Sequence, residues 1–251
     1  MSPESEVPSA STEAMRAFWD ARAKENAMWY IQSKLDFQNP DPQAFWASGE
    51  DALQRTLEMV DASFRRGDRV LEIGCGMGRM TRAIAARVEE VVGVDISPEM
   101  IARGQEALAD INNVSLVLGN GHNLEGQPDA TFDACYSFVV FQHVPSAAVV
   151  CDYIVEIGRV LKPGGWALFQ VSELPPEAHR PENFPEQTKL RRRAAGRIGR
   201  QPRGCLEPQW LGSSLTRGQL LAALGRGGLA LDRSVGDDTQ FCMVLARKKT
   251  G

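Results

Sequence analysis

Residues 70–81 read VLEIGCGMGRMT. An apolar run interrupted by Glu72 gives way to Gly74, Gly76 and Gly78, and a segment with helical spacing follows. Missing side chains at alternate positions let a backbone turn sharply and approach a ligand closely, so the stretch predicts a strand, a tight loop and a helix. A loop of this kind also serves as a plain connection, and its neighbours must decide. The next apolar run, VVGVD at 91–95, ends in Asp95, where an acid can accept hydrogen bonds from both hydroxyls of a ribose. The spacing is G-x-G-x-G and not G-x-G-x-x-G, and the carboxylate of Glu72 stands beside it. A pyrophosphate would be poorly placed there, whereas a ligand carrying an ammonium and a sulfonium would be favoured.

Outward from this loop, short strand-like runs alternate with helical stretches: RVLEI, Met80 to Val88, VVGVD, Pro98 to Leu108, VSLVL, FDACYSF, Ala147 to Leu161 and WALFQV. That order predicts βαβ units and a parallel sheet covered by helices on both faces. The turn KPGG at 162–165 closes one helix and launches a strand. Near the end, LALDRSV and TQFCMVLARK are close enough to pair as an antiparallel hairpin after a helix at Thr216 to Gly225. Residues 1–64 read as an N-terminal helical lid, with one helix from Ser11 to Leu35, a break at NPDPQ and a second from Phe45 to Phe64. Residues 65–251 then form the main domain. Between 174 and 211 the pattern fails, in a proline-rich and then basic stretch read as a substrate-cap insertion.

Composition sets the outer limits. With 251 residues, 43% of them apolar, the chain can bury a full core. Lys and Arg number 28 against 32 Asp and Glu, which disfavours nucleic acid or an anionic membrane as partner. The opening MSPESEVPSASTEAM is unlike a signal peptide, and no run approaches the ~18 apolar residues of a membrane span. A cytoplasmic protein, monomer or homodimer, is expected. Cys75, Cys135, Cys151, Cys205 and Cys242 are scattered without a C-x-x-C pair, so buried reduced thiols are expected, not a zinc site.

Together these features resemble the class I S-adenosylmethionine-dependent methyltransferases. Glu72 to Gly78 looks like that family's first motif, Asp95 its ribose-binding acid, FDACYS its fourth strand and LKPGG its approach to the fifth. The resemblance is specific over about residues 69–173. It implies a Rossmann-like sheet of seven strands, one antiparallel, with S-adenosylmethionine across the carboxyl ends of the early strands. Gly74, Gly76 and Gly78 would line the methionine and ribose, Glu72 would face the cofactor's amino group, and Asp95 would hold the ribose diol. Ile96 would flank the adenine, Asn120 would accept from its amino group, and Gly121 and His122 would edge it. For His122 a solvent-facing loop role stands beside that one.

The acceptor side is read from SFVVFQHV, residues 137–144. His143 follows the fourth strand, where the transferable methyl should point, and imidazole, with an ordinary pKa of ~6.5, suits proton abstraction near neutral pH. A framework role for His143 is the alternative. Gln142 is assigned to cofactor or backbone. Glu173, emerging from the fifth strand, would assist His143 or bind substrate; magnesium is compatible with a carboxylate there, although no metal motif is legible. Trp29 and Tyr30, among the aromatics Phe18, Trp19 and Trp46, are candidate substrate contacts, and with Asn26, Gln32 and Lys34 between them they suit a polar ring such as a sugar. The expected reaction is O-methylation of a small hydroxylated molecule, a saccharide by preference, as in bacterial sugar O-methyltransferases. The alternatives are N- or C-methylation in natural-product biosynthesis and a non-catalytic S-adenosylmethionine-binding module. The basic run Arg191, Arg192, Arg193, Arg197, Arg200 and Arg203 is either a solvated face or an anion contact.

Overall fold

The computed structural model describes residues 9–175, 190, 203, 204 and 207–250, with side chains from Thr12 onward. Seven strands form one sheet in the order β3-β2-β1-β4-β5-β7-β6: β1 (Arg69–Ile73), β2 (Glu90–Asp95), β3 (Val114–Leu118), β4 (Phe132–Ser137), β5 (Leu161–Val171), β6 (Leu229–Val235) and β7 (Cys242–Lys248). Only β7 runs antiparallel to its neighbours, and it is the second arm of the hairpin expected at the end of the chain. This is the class I methyltransferase topology. The KPGG segment lies inside β5, where the pairing with β4 shifts register between Phe132 and Ala134.

Alternation along β1 assigns the two faces. Leu71 and Ile73 join a core with Phe169, Val171 and the helices α5 (Ala147–Val160) and α7 (Arg217–Arg226), the short α6 (Pro208–Leu211) lying between them in sequence. Val70 turns to the other face and packs with α2 (Pro42–Val60) and α3 (Arg79–Ala85). Glu72 therefore points toward the α2/α3 face. Leu53 and Val60 of α2 are buried against Ile84 of α3, so α2 belongs to the core and not to a lid. Full burial of such a side chain is worth ~1.5–3 kcal/mol. Capping fixes where helices begin: Asp41 accepts from Gln43 N–H with Pro42 at the first position of α2, and Ser97 accepts from Met100 N–H at α4 (Pro98–Ala107).

The first helix, α1 (Ser9–Ile31), is the covering element. It is not one rod as expected, because Asn26 is extended (φ −167°, ψ 85°). Its Oδ1 accepts from Trp29 N–H at 3.0 Å and its amide donates to Phe37 O at 2.6 Å, so the side chain starts a new helical turn within the old one. Asp20 docks α1 onto the start of α4 by accepting from Glu99 N–H (2.9 Å) and Ser97 Oγ (3.2 Å). Arg16 donates to Gly119 O at 3.2 Å. Cys75, Cys135, Cys151 and Cys242 are buried and free; Cys205 lies outside the described residues. No described helix is long and apolar enough to cross a membrane.

Candidate active site

A cavity of about 1080 Å³, its open mouth included, lies at the carboxyl ends of β1, β2 and β4 beneath α1. Of the residues singled out in the sequence, Glu72, Gly74, Gly76, Asp95, Ile96, Gly121, Tyr30 and His143 line it. The glycine loop is held by Gly74 N–H and Cys75 N–H donating to Val94 O at 2.7 and 3.1 Å. Gly74 has φ +73° and Gly76 φ +55°. A Cβ on Gly74 would stand 2.4 Å from Val140, and one on Gly76 would stand 2.7 Å from Ile31. Both glycines are therefore required for close approach as well as for the turn. Val140 is set in place by Val139, whose φ of +59° is strained for a β-branched residue by ~1–3 kcal/mol.

Asp95 accepts from Gly76 N–H (2.8 Å) on one oxygen and Ser97 N–H (2.9 Å) on the other. Burial pushes its carboxyl up while those two donors pull it down, and each oxygen keeps acceptor capacity for a diol. Glu72 is more deeply placed, 3% exposed, with Thr81 Oγ1 donating to it at 2.5 Å. Burial pushes its carboxyl up to about 8, against the opposing pull of Thr81 and Arg79. Arg79, which the sequence reading passed over, also lines this end of the cavity.

Four cofactor expectations, Gly78, Asn120, His122 and Gln142, land elsewhere. Gly78 (φ +91°) is outside the cavity wall; its missing Cβ admits Leu108, which would otherwise be 2.4 Å away, so it serves the packing of α3 on α4. Asn120 spends its side chain on its own loop, accepting from His122 N–H (3.0 Å) and Asn123 N–H (3.1 Å) and donating to Asn123 Oδ1 (2.5 Å). Its carbonyl is thus occupied, and His122 stays out of the wall with it. Gln142 is a buried relay: its Oε1 accepts from Gln170 at 3.0 Å and its amide faces His143 Nε2 at 3.0 Å.

His143 sits in a single 3-10 turn, Phe141–His143, after β4. Its Nδ1 is 2.6 Å from Trp210 O. A carbonyl only accepts, so Nδ1 carries the proton and Nε2 is the accepting nitrogen, engaged by the Gln142 amide. Trp19 meets the imidazole edge-on at 5.6 Å and Trp210 tilts against it at 5.4 Å. The segment after α6 is tied down at Gly212 (φ +65°), where a Cβ would lie 1.7 Å from Gln142 O. Trp210 and Gly212 lie at the end of the insertion, where the sequence offers no periodic signal.

Glu173 does not converge on His143. Its side chain, 2% exposed, pairs with Arg217 at 3.3 Å and accepts from Asp238 N–H at 2.9 Å, away from the cavity wall. Glu173, Asp237 and Cys242 stand close enough to share a cation, but Arg217 reaches Asp237 as well, at 2.5 Å, and supplies that positive charge. Trp29 is likewise outside the wall, stacked on Trp210 at 6.2 Å. Tyr30 lines the cavity with its ring, while its hydroxyl, 2.9 Å from both Glu25 and Arg203 O, is held well above the usual phenol range by burial and Glu25. Arg191, Arg192, Arg193, Arg197 and Arg200 lie outside the described residues.

Residues 71–169 match the family model described as "Methyltransferase domain". Residues 71–169 are a methyltransferase domain. Among relatives of this domain, an uncharacterized methyltransferase of Schizosaccharomyces pombe is 32% identical over 155 residues, 54% of each chain. A demethylmenaquinone methyltransferase of Staphylococcus aureus is 37% identical over 117 residues, 44% of this chain and 46% of that protein. The match thus spans about half the length of these curated relatives. A solved structure of Haemonchus contortus phosphoethanolamine N-methyltransferase 1, with phosphoethanolamine and S-adenosylhomocysteine, aligns at a TM-score of 0.67 and 16% identity, over 98% of this chain and 50% of that one. The methyltransferase domain's glycine loop, Asp95 and Glu72 fit S-adenosylmethionine: two acceptor oxygens for a diol and a carboxyl for an ammonium, beside a turn whose glycines let a ligand come close.

Proposed function

We propose that the protein transfers a methyl group from S-adenosylmethionine to a hydroxyl on a flat, largely apolar ring, with His143 as general base. The observation that carries this is the placement of His143 in the same cavity wall as Asp95 and the glycine loop, in contact with Trp19 and Trp210. Around it the wall is apolar: Met15, Phe138, Val139, Val140 and Val144. A saccharide fits this wall less well: of the polar residues expected to meet one, Asn26 is spent on the α1 bend, Gln32 Oε1 accepts from Lys34 N–H, and none of the three lines the cavity.

When bound, the cofactor supplies an electrophilic methyl on a sulfonium, which leaves as a thioether keeping the bonding electron pair. Asp95 would hold the ribose, and Glu72 the ammonium. His143 would take the acceptor's proton on Nε2 as the oxygen closes on the methyl, while Trp210 O steadies the imidazolium through Nδ1–H. For this the hydroxyl must displace the Gln142 amide from Nε2, at a cost near that of one neutral hydrogen bond, ~0.5–1.5 kcal/mol. Trp19 and Phe138 offer faces on which a ring can lie.

Release of S-adenosylhomocysteine across phenols and naphthols, saccharides and primary amines tests the reading. Turnover is expected on the flat hydroxylated rings; turnover confined to saccharides or amines would overturn it, as would cofactor binding with no turnover on any member. A second reading, methylation of a ring carbon beside the hydroxyl, draws support from the relative named for demethylmenaquinone. It uses the same deprotonation, and the position of a labelled methyl in the product separates the two.

Gly212→Ala supplies a further check. The added Cβ cannot coexist with Gln142 O at 1.7 Å, so Trp210 O must move off His143. Misplacement by about 1 Å can cost ~10² in rate. A fall in kcat of that order is expected, with S-adenosylhomocysteine affinity nearly unchanged.

A further inference from the structure

Arg79 is 5% exposed, yet among the described residues no carboxylate lies within ion-pair distance of it. Its Nη1 donates only to neutral groups, Ser48 O at 3.1 Å and Ser48 Oγ at 3.4 Å, and its buried Nε has no hydrogen-bond partner. Gly49 lets α2 close tightly over it, since a Cβ there would be 2.3 Å from Arg79 O. A guanidinium keeps its charge under almost any conditions, so it cannot relieve this burial by losing a proton. Nor does its position at the start of α3 help, because a helix N-terminus favours anions. A buried cation with no ion-pair partner is costly, and Glu72 offsets this one only at longer range, which leaves Arg79 able to receive an anion.

Arg79 lines the same cavity as Glu72, seven positions earlier. An acid prepared for an ammonium and a cation lacking its anion together complement an α-amino acid zwitterion, whose two charges sit on neighbouring atoms. We infer that Arg79 anchors the carboxylate of the cofactor's methionine moiety and so selects for ligands that carry an intact amino acid. The inference rests on the cofactor reading above and adds to it the residue that recognises the amino-acid tail.

Calorimetry on the full chain tests this with two ligands: S-adenosylhomocysteine, and 5′-methylthioadenosine, which keeps adenine, ribose and thioether but lacks the amino acid. Arg79→Met is expected to weaken S-adenosylhomocysteine by ~10- to 100-fold, the usual range for a lost charge-assisted hydrogen bond, and to leave methylthioadenosine within about twofold. Arg79→Lys should recover part of the loss. The ligand-free Met variant should melt no lower than the wild type, because it sheds a buried unpaired charge. Equal weakening of both ligands with a lower melting temperature would make Arg79 a packing residue and overturn the inference. Unchanged S-adenosylhomocysteine affinity would also overturn it, pointing Arg79 at an anion on the acceptor. Wild-type protein that binds neither ligand would instead sink the cofactor reading itself.

Discussion

His143→Ala is expected to lower kcat by ~10²- to 10⁴-fold on the hydroxylated ring that proves to be the acceptor, the span typical of a lost general base. The affinity for S-adenosylhomocysteine should change little, because on the proposed reading Asp95 and Glu72, not His143, hold the ligand. The split between kcat and cofactor binding matters, since a framework histidine would disturb both. His143 packs against Trp19 and Trp210, so alanine leaves a space the size of an imidazole. Added imidazole should therefore restore part of the rate. His143→Gln, which fills the space but accepts protons poorly, should stay slow. Near-normal turnover by the alanine variant would remove the base from the mechanism and favour an amine acceptor, which presents its own lone pair.

How far these residues could be read from sequence depended on the range of the forces that place them. The loop at Gly74 and Gly76 and the acid at Asp95 are local: a strand end, a turn without side chains and a second strand end fix them within about 25 residues. The parallel sheet followed from alternation of short apolar runs with helices, and the hairpin of β6 and β7 from proximity; the order of the strands did not. Asn120 and Glu173 had suitable chemistry in suitable places, but each had a competing partner. For Asn120 the competitor was its own loop. For Glu173 it was Arg217, 44 positions downstream and on another element, which no periodicity reveals. Asn26 reads as helical because one residue hardly alters the pattern, yet its side chain can cap a new turn as well as continue an old one. Arg79 alone left a local signal that went unused: a cation directly after the last glycine, at the helix end where positive charge is least welcome.

Glu72 should make cofactor binding depend on pH in a way few buried acids would. Without ligand, burial holds its carboxyl at about 8, far above its ordinary value of 4.5. The sign follows directly. The folded, ligand-free protein keeps a proton that the unfolded chain gives up, so this group's contribution to folding stability is fully present below about 4.5 and is lost as pH rises to about 8. An ammonium arriving beside it favours the ionised form, and binding therefore expels that proton. Below about pH 8, S-adenosylhomocysteine affinity should rise by nearly tenfold per pH unit, with close to one proton released. Above about 8 the ligand's own α-amino group, with an ordinary pKa of ~7.7–8.0, begins to lose its charge and the profile should turn over. Calorimetry in buffers of different ionisation enthalpy reads the proton count directly. Glu72→Gln should flatten the rising limb, and its deficit against wild type should be largest near pH 8 and shrink toward pH 6, where the wild-type carboxyl is itself neutral. A flat profile with no proton release would mean that Glu72 does not meet the ammonium, and the charge argument that first favoured a sulfonium ligand over a pyrophosphate would lose its structural basis.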